Sequence, residues 1–315
     1  MKYQRRDFLK VSSASALGML VLPACGPGEK KAAESAAEAA TATAEAAADI
    51  DVGLQLYTIR DAIAADLEGS LEKVAAMGYK NLELASYANG QFYGKTPAEF
   101  KKLMDDNGFT VFSSHTSVEA EGVNMDTAKL MADAHAELGV KYCVQPWVQE
   151  EDRNVERYKQ LVADWNQVGE LMKNTGIQFG YHNHNFEFAN LDGVVPYYDI
   201  ILADLDPELV IMELDLFWAT KAGQDPVEIF KKYPGRFHLL HLKDMSLDNT
   251  PYFTLDKDDI TSVGEGLIDF KRILAEAETG GVKCGFVEDD NQGSGTPFKA
   301  IETSINNLNN DILKG

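Results

Sequence analysis

The chain is poor in cysteine and in basic residues, and both shortages narrow its function. Only three cysteines occur in 315 residues, and two of them, Cys143 and Cys284, stand in apolar runs, so we expect buried thiols and no disulfide framework. Lys and Arg total 29 against 50 Asp and Glu, which gives a net charge of −21. Proteins that hold nucleic acid through its phosphates carry a basic surface. The acidic balance therefore argues against a nucleic-acid partner.

The first 49 residues lack the pattern of a folded core and carry export signals instead. Residues 5–10, RRDFLK, resemble a twin-arginine (Tat) export motif, and the apolar run that follows is too short for a permanent membrane helix. That run ends in LPAC, which resembles a lipoprotein cleavage site with Cys25 as the lipid-bearing residue. Residues 26–49 are rich in Ala, Glu and Thr, which predicts a disordered tether.

These signals divide the chain into a signal peptide (1–25), a linker (26–49) and a folded domain (50–315). We expect a periplasmic protein whose only membrane contact is its N-terminal lipid anchor on a bacterial membrane.

Short apolar runs alternate with amphipathic stretches throughout the folded domain. The eight runs, which we interpret as strands, are 52–57, 81–85, 110–115, 141–145, 177–183, 209–215, 237–243 and 283–288. The eight helical candidates are 66–77, 97–107, 124–138, 152–175, 194–204, 226–233, 267–278 and 297–313. This alternation over about 265 residues predicts a single (β/α)8 TIM barrel. A doubly wound open sheet is the alternative, and the absence of a Gly-rich phosphate fingerprint after the first run disfavours it.

Imidazoles and carboxylates collect where the expected strands end, which is the face where TIM barrels keep their sites. The segment 180–188, GYHNHNFEF, holds two of the six histidines, and residues two apart on a strand face the same side, so His182 and His184 can converge on one ion. The other strand-end residues of this kind are Glu83, His115, Asp215, His241 and Glu288.

Four consecutive strands offer a ligand set for one divalent metal ion. The expected ligands are His182, Asp215, His241 and Glu288. Mixed imidazole and carboxylate donors suit Mn²⁺, Fe²⁺, Co²⁺, Ni²⁺ or Zn²⁺ better than Ca²⁺.

The order of sequence blocks resembles the xylose isomerase-like TIM barrels, the superfamily of sugar phosphate isomerase/epimerase proteins. The blocks are GYKNLEL (78–84), YHNHNFEF (181–188), ELDLFW (213–218), AGQDP (222–226), HLKD (241–244), GEGLID (264–269) and VEDD (287–290). The resemblance implies that Asp215, His241 and Glu288 hold a metal ion. It also implies a glutamate in the first ligand position, where this chain has His182, with His184 as the fallback ligand. Relatives that epimerise ketoses often have a histidine where this chain has Trp218.

The resemblance implies a metal-dependent isomerase or epimerase that moves protons beside the carbonyl of a ketose or keto-sugar. We expect Glu288, His184 and Glu187 to act in proton transfer, and we expect four residues to contact substrate. Those four are Glu83, His115, Trp218 and Lys243. The strand-end loops offer Lys221 and Lys243 as cations, Lys243 is followed directly by Asp244, and the domain is acidic, so we expect a sugar that is not phosphorylated.

Three other functions stay open at this stage. With only Glu288 as a carboxylate base on the metal, a 3-keto-glycoside lyase or hydratase, or a sugar dehydratase, fits the same site. A non-catalytic sugar-binding lipoprotein is an alternative of another class. A DNA-repair nuclease of the superfamily is disfavoured by the acidic balance. The sequence leaves a homo-oligomer open.

Overall fold

Eight parallel strands close into a barrel in the computed structural model, which describes residues 50–118, 124–190, 196–246, 259–291 and 297–314. In chain order the strands are β1 (Asp51–Gln55), β2 (Asn81–Leu84), β3 (Thr110–His115), β4 (Tyr142–Gln145), β5 (Gln178–His182), β6 (Val210–Asp215), β7 (Phe237–Leu242), β8 (Asp244–Met245), β9 (Ile260–Thr261) and β10 (Cys284–Val287). The barrel order is β1-β2-β3-β4-β5-β6-β7-β10, and β10 pairs with β1. The short antiparallel pair β8–β9 lies outside the barrel. The predicted (β/α)8 barrel is confirmed.

The predicted signal peptide and linker, including Cys25, lie outside the described residues, so export and lipid anchoring stay predictions. Within the described ranges, no helix combines the length and the apolar character needed to cross a membrane.

Helices follow the barrel strands and are mostly those expected from the sequence. They are α1 (Arg60–Ala65), α2 (Leu67–Ala76), α3 (Pro97–Asn107), α4 (Met125–Leu138), α5 (Val155–Lys173), α6 (Tyr197–Asp204), α7 (Leu216–Lys221), α8 (Pro226–Lys232), α9 (Phe270–Ala275), α10 (Ala277–Gly280) and α11 (Pro297–Asn307). Single 3-10 turns at Leu56–Ile59, Glu150–Asp152 and Phe186–Phe188 and a π turn at Leu308–Ile312 complete the set. α3 begins with a capping box in which Thr96 and Glu99 satisfy each other's backbone N–H groups.

Successive side chains on each strand alternate between an outer core, shared with the helices, and the barrel interior. On β6, Val210, Met212 and Leu214 pack in the large core shared with the helices, whereas Ile211 belongs to a smaller cluster. That inner cluster comprises Phe112, Val144, Ile211, Leu239, Cys284 and Phe286. Because side chains on a strand alternate with a period of two, Glu213 and Asp215 lie above Ile211 on the same face. The barrel interior is therefore apolar at its base and charged towards the carboxyl ends of the strands.

Asp244 fixes the chain that returns from β9 to the barrel. Its Oδ1 accepts hydrogen bonds from the N–H groups of Met245 (2.8 Å) and Ile268 (3.0 Å). Its Oδ2 accepts from Gly264 and Gly266, both at 2.9 Å. A Cβ on Gly266 would lie 2.3 Å from the carbonyl oxygen of Met245, so glycine is required there for the approach. One buried carboxylate thus satisfies four backbone donors at the rim of the site.

Replacing Asp244 by Asn should destabilise the domain, because an amide keeps one acceptor oxygen and turns its NH₂ group towards two backbone donors. Two buried N–H groups lose their partners, which costs about 2–4 kcal/mol. We expect the midpoint of thermal unfolding, followed by circular dichroism, to fall by roughly 5–10 °C. The control is Asp311→Asn, whose side chain is 73% exposed in an ion pair with Lys271. Equal midpoints for the two variants would contradict the anchoring role.

Candidate metal centre

A cavity of about 600 Å³ opens at the carboxyl ends of the barrel strands. Its histidine, lysine and carboxylate lining residues are His115, His182, His184, Lys243, Glu288 and Asp290. They come from the ends of β3, β5, β7 and β10, as a parallel barrel requires of a shared site. The structure therefore brings together most of the strand-end residues that the sequence singled out.

The ligand atoms beneath the cavity form two levels, which we call the lower and the upper level. The lower level is centred on Glu213, a fully buried residue that the sequence analysis did not single out. Its Oε2 lies 2.6 Å from His115 Nε2, 3.0 Å from His182 Nδ1 and 3.3 Å from His241 Nε2. The carboxylate oxygen stands at the centre of the three imidazole nitrogens, so it acts as their hydrogen-bond acceptor.

Glu83 and Gln55 extend the lower level. Glu83 Oε2 accepts hydrogen bonds from His241 Nε2 (2.6 Å) and Gln55 Nε2 (2.8 Å). The Glu83 side chain is fully buried. Glu83 was predicted to contact substrate, and its position is a correction to that prediction, because its carboxylate orients His241 from below the cavity.

The upper level contains Asp215, His241 and Glu288, whose ligand atoms lie within 4.8 Å of one another. His241 Nδ1 lies 2.7 Å from Glu288 Oε2 and 3.8 Å from Asp215 Oδ2. His182 Nε2 lies 3.8 Å from the same Asp215 oxygen. The four ligands expected from the sequence are thus neighbours at one place.

The donor set of the upper level fits a divalent metal ion. Metal–nitrogen and metal–oxygen bonds of about 2.0–2.2 Å place neighbouring ligand atoms roughly 3–4 Å apart. Asp215 Oδ2 has this separation from both imidazoles, whereas His241 and Glu288 are closer, at 2.7 Å. Asp215 Oδ2 and His241 Nδ1 are buried, and their near neighbours are the Lys243 ammonium at 2.9 Å and the Glu288 carboxylate at 2.7 Å, respectively. The second oxygen, Asp215 Oδ1, accepts from the backbone N–H of Trp218 at 2.8 Å, which fixes the carboxylate.

The two levels together have the arrangement of metal ligands and their supports. In metal sites, a ligating histidine usually donates its second ring nitrogen to a carboxylate, which fixes the ring and its tautomer. His182 and His241 both do so here, with Glu213 and Glu83 as acceptors. Both levels bring donors close enough to hold an ion, and the histidine–carboxylate pairs favour the upper level for the ion and the lower level for orientation.

Burial and charge give the imidazoles different protonation states. Burial lowers the pKa of His182 well below its usual value, and burial lowers that of His115 to about 4, so both rings are neutral at pH 7. A neutral imidazole has the free lone pair that a metal ion needs. Burial also opposes charge on His241, but Glu213, Glu288 and Glu83 hold its pKa well above the usual value. Burial raises the pKa of Glu213 to about 7.

Lys243 lies within the carboxylates of the upper level. Its Nζ is 2.7 Å from Glu288 Oε2, 2.9 Å from Asp215 Oδ2 and 3.0 Å from Asp290 Oδ1. Burial opposes its charge, but Asp215, Asp290 and Glu288 raise its pKa well above the usual value. Asp290 is 6% exposed and completes this group. The upper level therefore favours positive charge.

His184 lines the cavity. Along the barrel order, the strands that carry Asp215 and His241 lie between the strand that precedes His184 and the strand that precedes Glu288. Its ring stacks on Phe186, with centroids 5.4 Å apart, and meets Trp147 edge-on at 4.6 Å. Glu187 was predicted to transfer protons, but it is fully buried and both its oxygens are occupied. Glu187 Oε2 accepts from the backbone N–H of His184 (2.8 Å) and Oε1 from Tyr181 Oη (2.5 Å). Glu187 is therefore a positioning residue for His184.

Trp218 also departs from its predicted role as a substrate contact. The side chain is fully buried, and its ring lies 5.7 Å from the ring of His184. It supports the back of the His184 ring, because α7 begins directly after Asp215 and turns the chain away from the cavity.

A family model described as "Xylose isomerase-like TIM barrel" matches residues 71–302. The chain belongs to this family. A crystal structure of a sugar phosphate isomerase/epimerase from Parabacteroides distasonis is 30% identical, with a TM-score of 0.72 over 87% of this chain and 97% of that one. The family expected from the sequence is confirmed.

Two further proteins are similar to this chain. An inosose dehydratase from Geobacillus kaustophilus is 23% identical over 238 residues, which is 65% of this chain and 74% of that protein. A crystal structure of the IolI protein with a bound zinc atom is 18% identical, with a TM-score of 0.67 over 84% of this chain and 98% of that one, and shows a common fold.

Removing an upper-level donor should remove the bound ion. We expect His182→Ala and Asp215→Ala proteins, purified without chelator, to fall from near one transition-metal ion per chain towards none in elemental analysis. The control is His238→Ala, because His238 lies near the opposite end of β7 and bonds to Tyr142. Parental metal content in both variants would contradict this ligand set.

Glu213→Gln should weaken metal binding without removing a ligand, because an amide oxygen accepts less strongly from the three imidazoles. Loss of such a support lowers affinity by roughly 10–100-fold. Competition with a fluorescent chelator measures the change, and exposed Glu265 changed to Gln is the matched control. An affinity equal to that of the control would show that the lower level does not support the metal ligands.

Proposed function

We propose that this protein is a metal-dependent lyase that eliminates a β-substituent from a cyclic polyhydroxylated ketone. The observation that carries the proposal is that Glu288 and His184 line one cavity, on opposite sides of the Asp215 and His241 strand ends. They supply a base and an acid around one centre.

Elimination beside a ketone needs removal of the α-proton and departure of a β-oxygen. A divalent ion bound by His182, Asp215, His241 and Glu288 would supply Lewis-acid polarisation of the carbonyl. The Glu288 carboxylate takes the α-proton, and the electron pair of that C–H bond forms the new C=C bond. The β C–O bond breaks with its electron pair on oxygen, and His184 donates the proton that this oxygen needs.

Two neighbours prepare Glu288 for this role. Burial opposes ionisation of Glu288, but Lys243 and His241 hold its pKa well below the usual value. The group is therefore ionised at neutral pH, as a base must be before it can accept a proton. Tyr181 and Glu187 hold the backbone of His184, so the imidazole keeps its place at the cavity wall.

The substrate is neutral. Among the described residues that line the cavity, Lys243 is the cation, and three carboxylates already surround its ammonium group. A phosphate would have to compete with these carboxylates for it, whereas hydroxyl groups can donate to them and accept from the ammonium. The relative named inosose dehydratase, an enzyme named for a small polyhydroxylated substrate, supports this class.

Isomerisation is the second candidate, because the solved structure at 30% identity is a sugar phosphate isomerase/epimerase. It needs the same proton removal by Glu288 but returns the proton to a carbon instead of expelling oxygen. Our sequence-based expectation favoured this reaction. The single metal-side glutamate and the dehydratase relative favour elimination.

The proposal is tested with metal-loaded protein in deuterated buffer, using an inosose and a methyl 3-keto-glucoside, with products followed by NMR. We expect an unsaturated ketone, and free methanol from the glycoside. Glu288→Gln should lower the rate by roughly 10²–10⁴-fold. His184→Gln should lower elimination while deuterium still exchanges at the α-carbon.

The control for both variants is His238→Gln, at the opposite end of β7, which should keep the parental rate. If deuterium exchanges and ketoses interconvert but no elimination product forms, the result would favour isomerisation and contradict the lyase. Binding without exchange or product would indicate a non-catalytic sugar-binding protein.

A further inference from the structure

A second cavity, of about 770 Å³, lies beside the metal cavity. The 3-10 turn at Leu56–Ile59, helix α1 and the chain around Tyr93 enclose it. Tyr57, Ala85 and Ser86 line both cavities. The two cavities therefore adjoin at Tyr57, and we refer to the second cavity, on the far side of Tyr57 from the metal centre, as the groove.

The two cavities together are larger than one sugar ring requires. Each cavity alone falls within the range of about 300–1,000 Å³ that is typical of sites for whole small molecules. The metal cavity can hold a six-membered keto ring by itself, so the second cavity has room for a further ring joined to the first.

Tyr57 has the placement of a stacking platform at the junction. Its residue is 37% exposed, and the Arg60 guanidinium covers one side of the ring at 4.1 Å from the centroid. The backbone N–H of Tyr57 donates to Gln55 Oε1 at 3.0 Å, and Gln55 in turn donates to Glu83. The platform is thus tied to the support of His241. An exposed aromatic face is well suited to the apolar face of a sugar ring.

The opposite wall is built on strained backbone. Tyr93 is not glycine, yet it adopts a left-handed φ of 50°. Its hydroxyl accepts a hydrogen bond from the N–H of Ala85 at 2.9 Å, and bridges pair Ala88 with Gln91 and Phe92 with Lys95. Such backbone costs of order 1–3 kcal/mol and tends to occur at ligand sites.

The charged side chains that line the second cavity balance, with Arg60 and Lys95 against Asp66 and Glu68. Lys95 pairs with Glu68 at 3.3 Å. Arg60 donates to the carbonyl oxygens of Tyr57 (2.9 Å) and Asp290 (3.1 Å). The lining of the second cavity therefore offers hydrogen-bonding groups but little net charge, and such a lining binds hydroxyl groups in preference to an anion.

We propose that the substrate is a two-ring keto-glycoside, with its oxidised ring at the metal centre and a second, neutral sugar ring in the groove beyond Tyr57. The inference rests on the proposed function and narrows its substrate class. For a 3-keto ring, Glu288 takes the proton at C2, the C1=C2 bond forms, and the C1–O bond breaks. The second sugar leaves as the alcohol after it receives a proton from His184.

The test compares a methyl 3-keto-glucoside with a 3-keto disaccharide of two glucose units. Dissociation constants are measured by calorimetry and rates by NMR on metal-loaded protein. We expect the disaccharide to bind at least roughly tenfold more tightly, because ring stacking and groove contacts add to the shared contacts at the metal centre. Tyr57→Ala should remove most of this preference.

A blocking variant and its matched control isolate the groove. Ala64 is exposed on α1 and lines the second cavity, whereas its exposed neighbour Ala65 is not among the described lining residues. Ala64→Trp should abolish the disaccharide preference and leave the methyl glycoside within about twofold, while Ala65→Trp keeps the preference. Unchanged methyl-glycoside binding shows that the variant is folded.

The outcomes separate this inference from the proposed reaction. Equal affinity of the parent for the two glycosides, with elimination of both, would overturn the second-ring site and leave the lyase intact. A disaccharide preference lost in Ala64→Trp but without elimination would support the site and contradict the lyase. A ketose monophosphate that binds more tightly than the disaccharide, with this advantage lost in Ala64→Trp, would overturn the neutral second ring in favour of a phosphate.

Discussion

Both ring nitrogens of His241 contact a carboxylate, and the rest of the site depends on this constraint. Nε2 is bound from below by Glu83, on β2, and Nδ1 faces Glu288, at the end of β10. One imidazole thus joins three strands that are distant in sequence. Because a barrel is closed, a shift of any of these strands would turn the ring and change the upper level. The precision of the centre therefore follows from barrel closure as much as from the ligands themselves.

Such a concentration of buried carboxylates is costly for folding. Burial disfavours the ionised forms, and like charges repel, so the isolated barrel stores unfavourable electrostatic energy at one end. Imidazoles, Gln55 and Lys243 offset part of it, and a divalent ion would offset more. The buried charges of the site therefore lower the stability of the folded domain. The apolar cluster around Ile211 and Phe286, beneath the lower level, contributes packing that offsets this cost.

Sequence reasoning succeeded where local rules decide the structure. Strand periodicity and caps such as Thr96 located the elements, and the shared face of parallel strand ends brought the expected ligands together. Glu213 was missed because it precedes the end of β6, although it lies two residues before Asp215 and so shares its face. The period-two alternation of strand side chains therefore predicts that Glu213 shares the site with Asp215.

The roles of Glu83, Glu187 and Trp218 could not be read from sequence, because tertiary packing around each side chain decides which of them reaches the cavity. Glu187 illustrates the difficulty. It stands three residues from His184 in a motif full of ligand types, yet the 3-10 turn at Phe186–Phe188 folds it back onto Tyr181. Its chemistry is that of a proton carrier, while its geometry is that of a support.

The asymmetry of the centre supports the proposed elimination over epimerisation. An epimerase moves a proton between two faces of one carbon, so it needs two groups of similar strength that exchange roles. Here one flank is a carboxylate held ionised by Lys243, and the other is an imidazole held by its backbone against Trp147 and Phe186. Groups so different suit different tasks, with one removing a proton from carbon and the other giving a proton to a departing oxygen. The groove beyond Tyr57 would bind the departing group beside the centre.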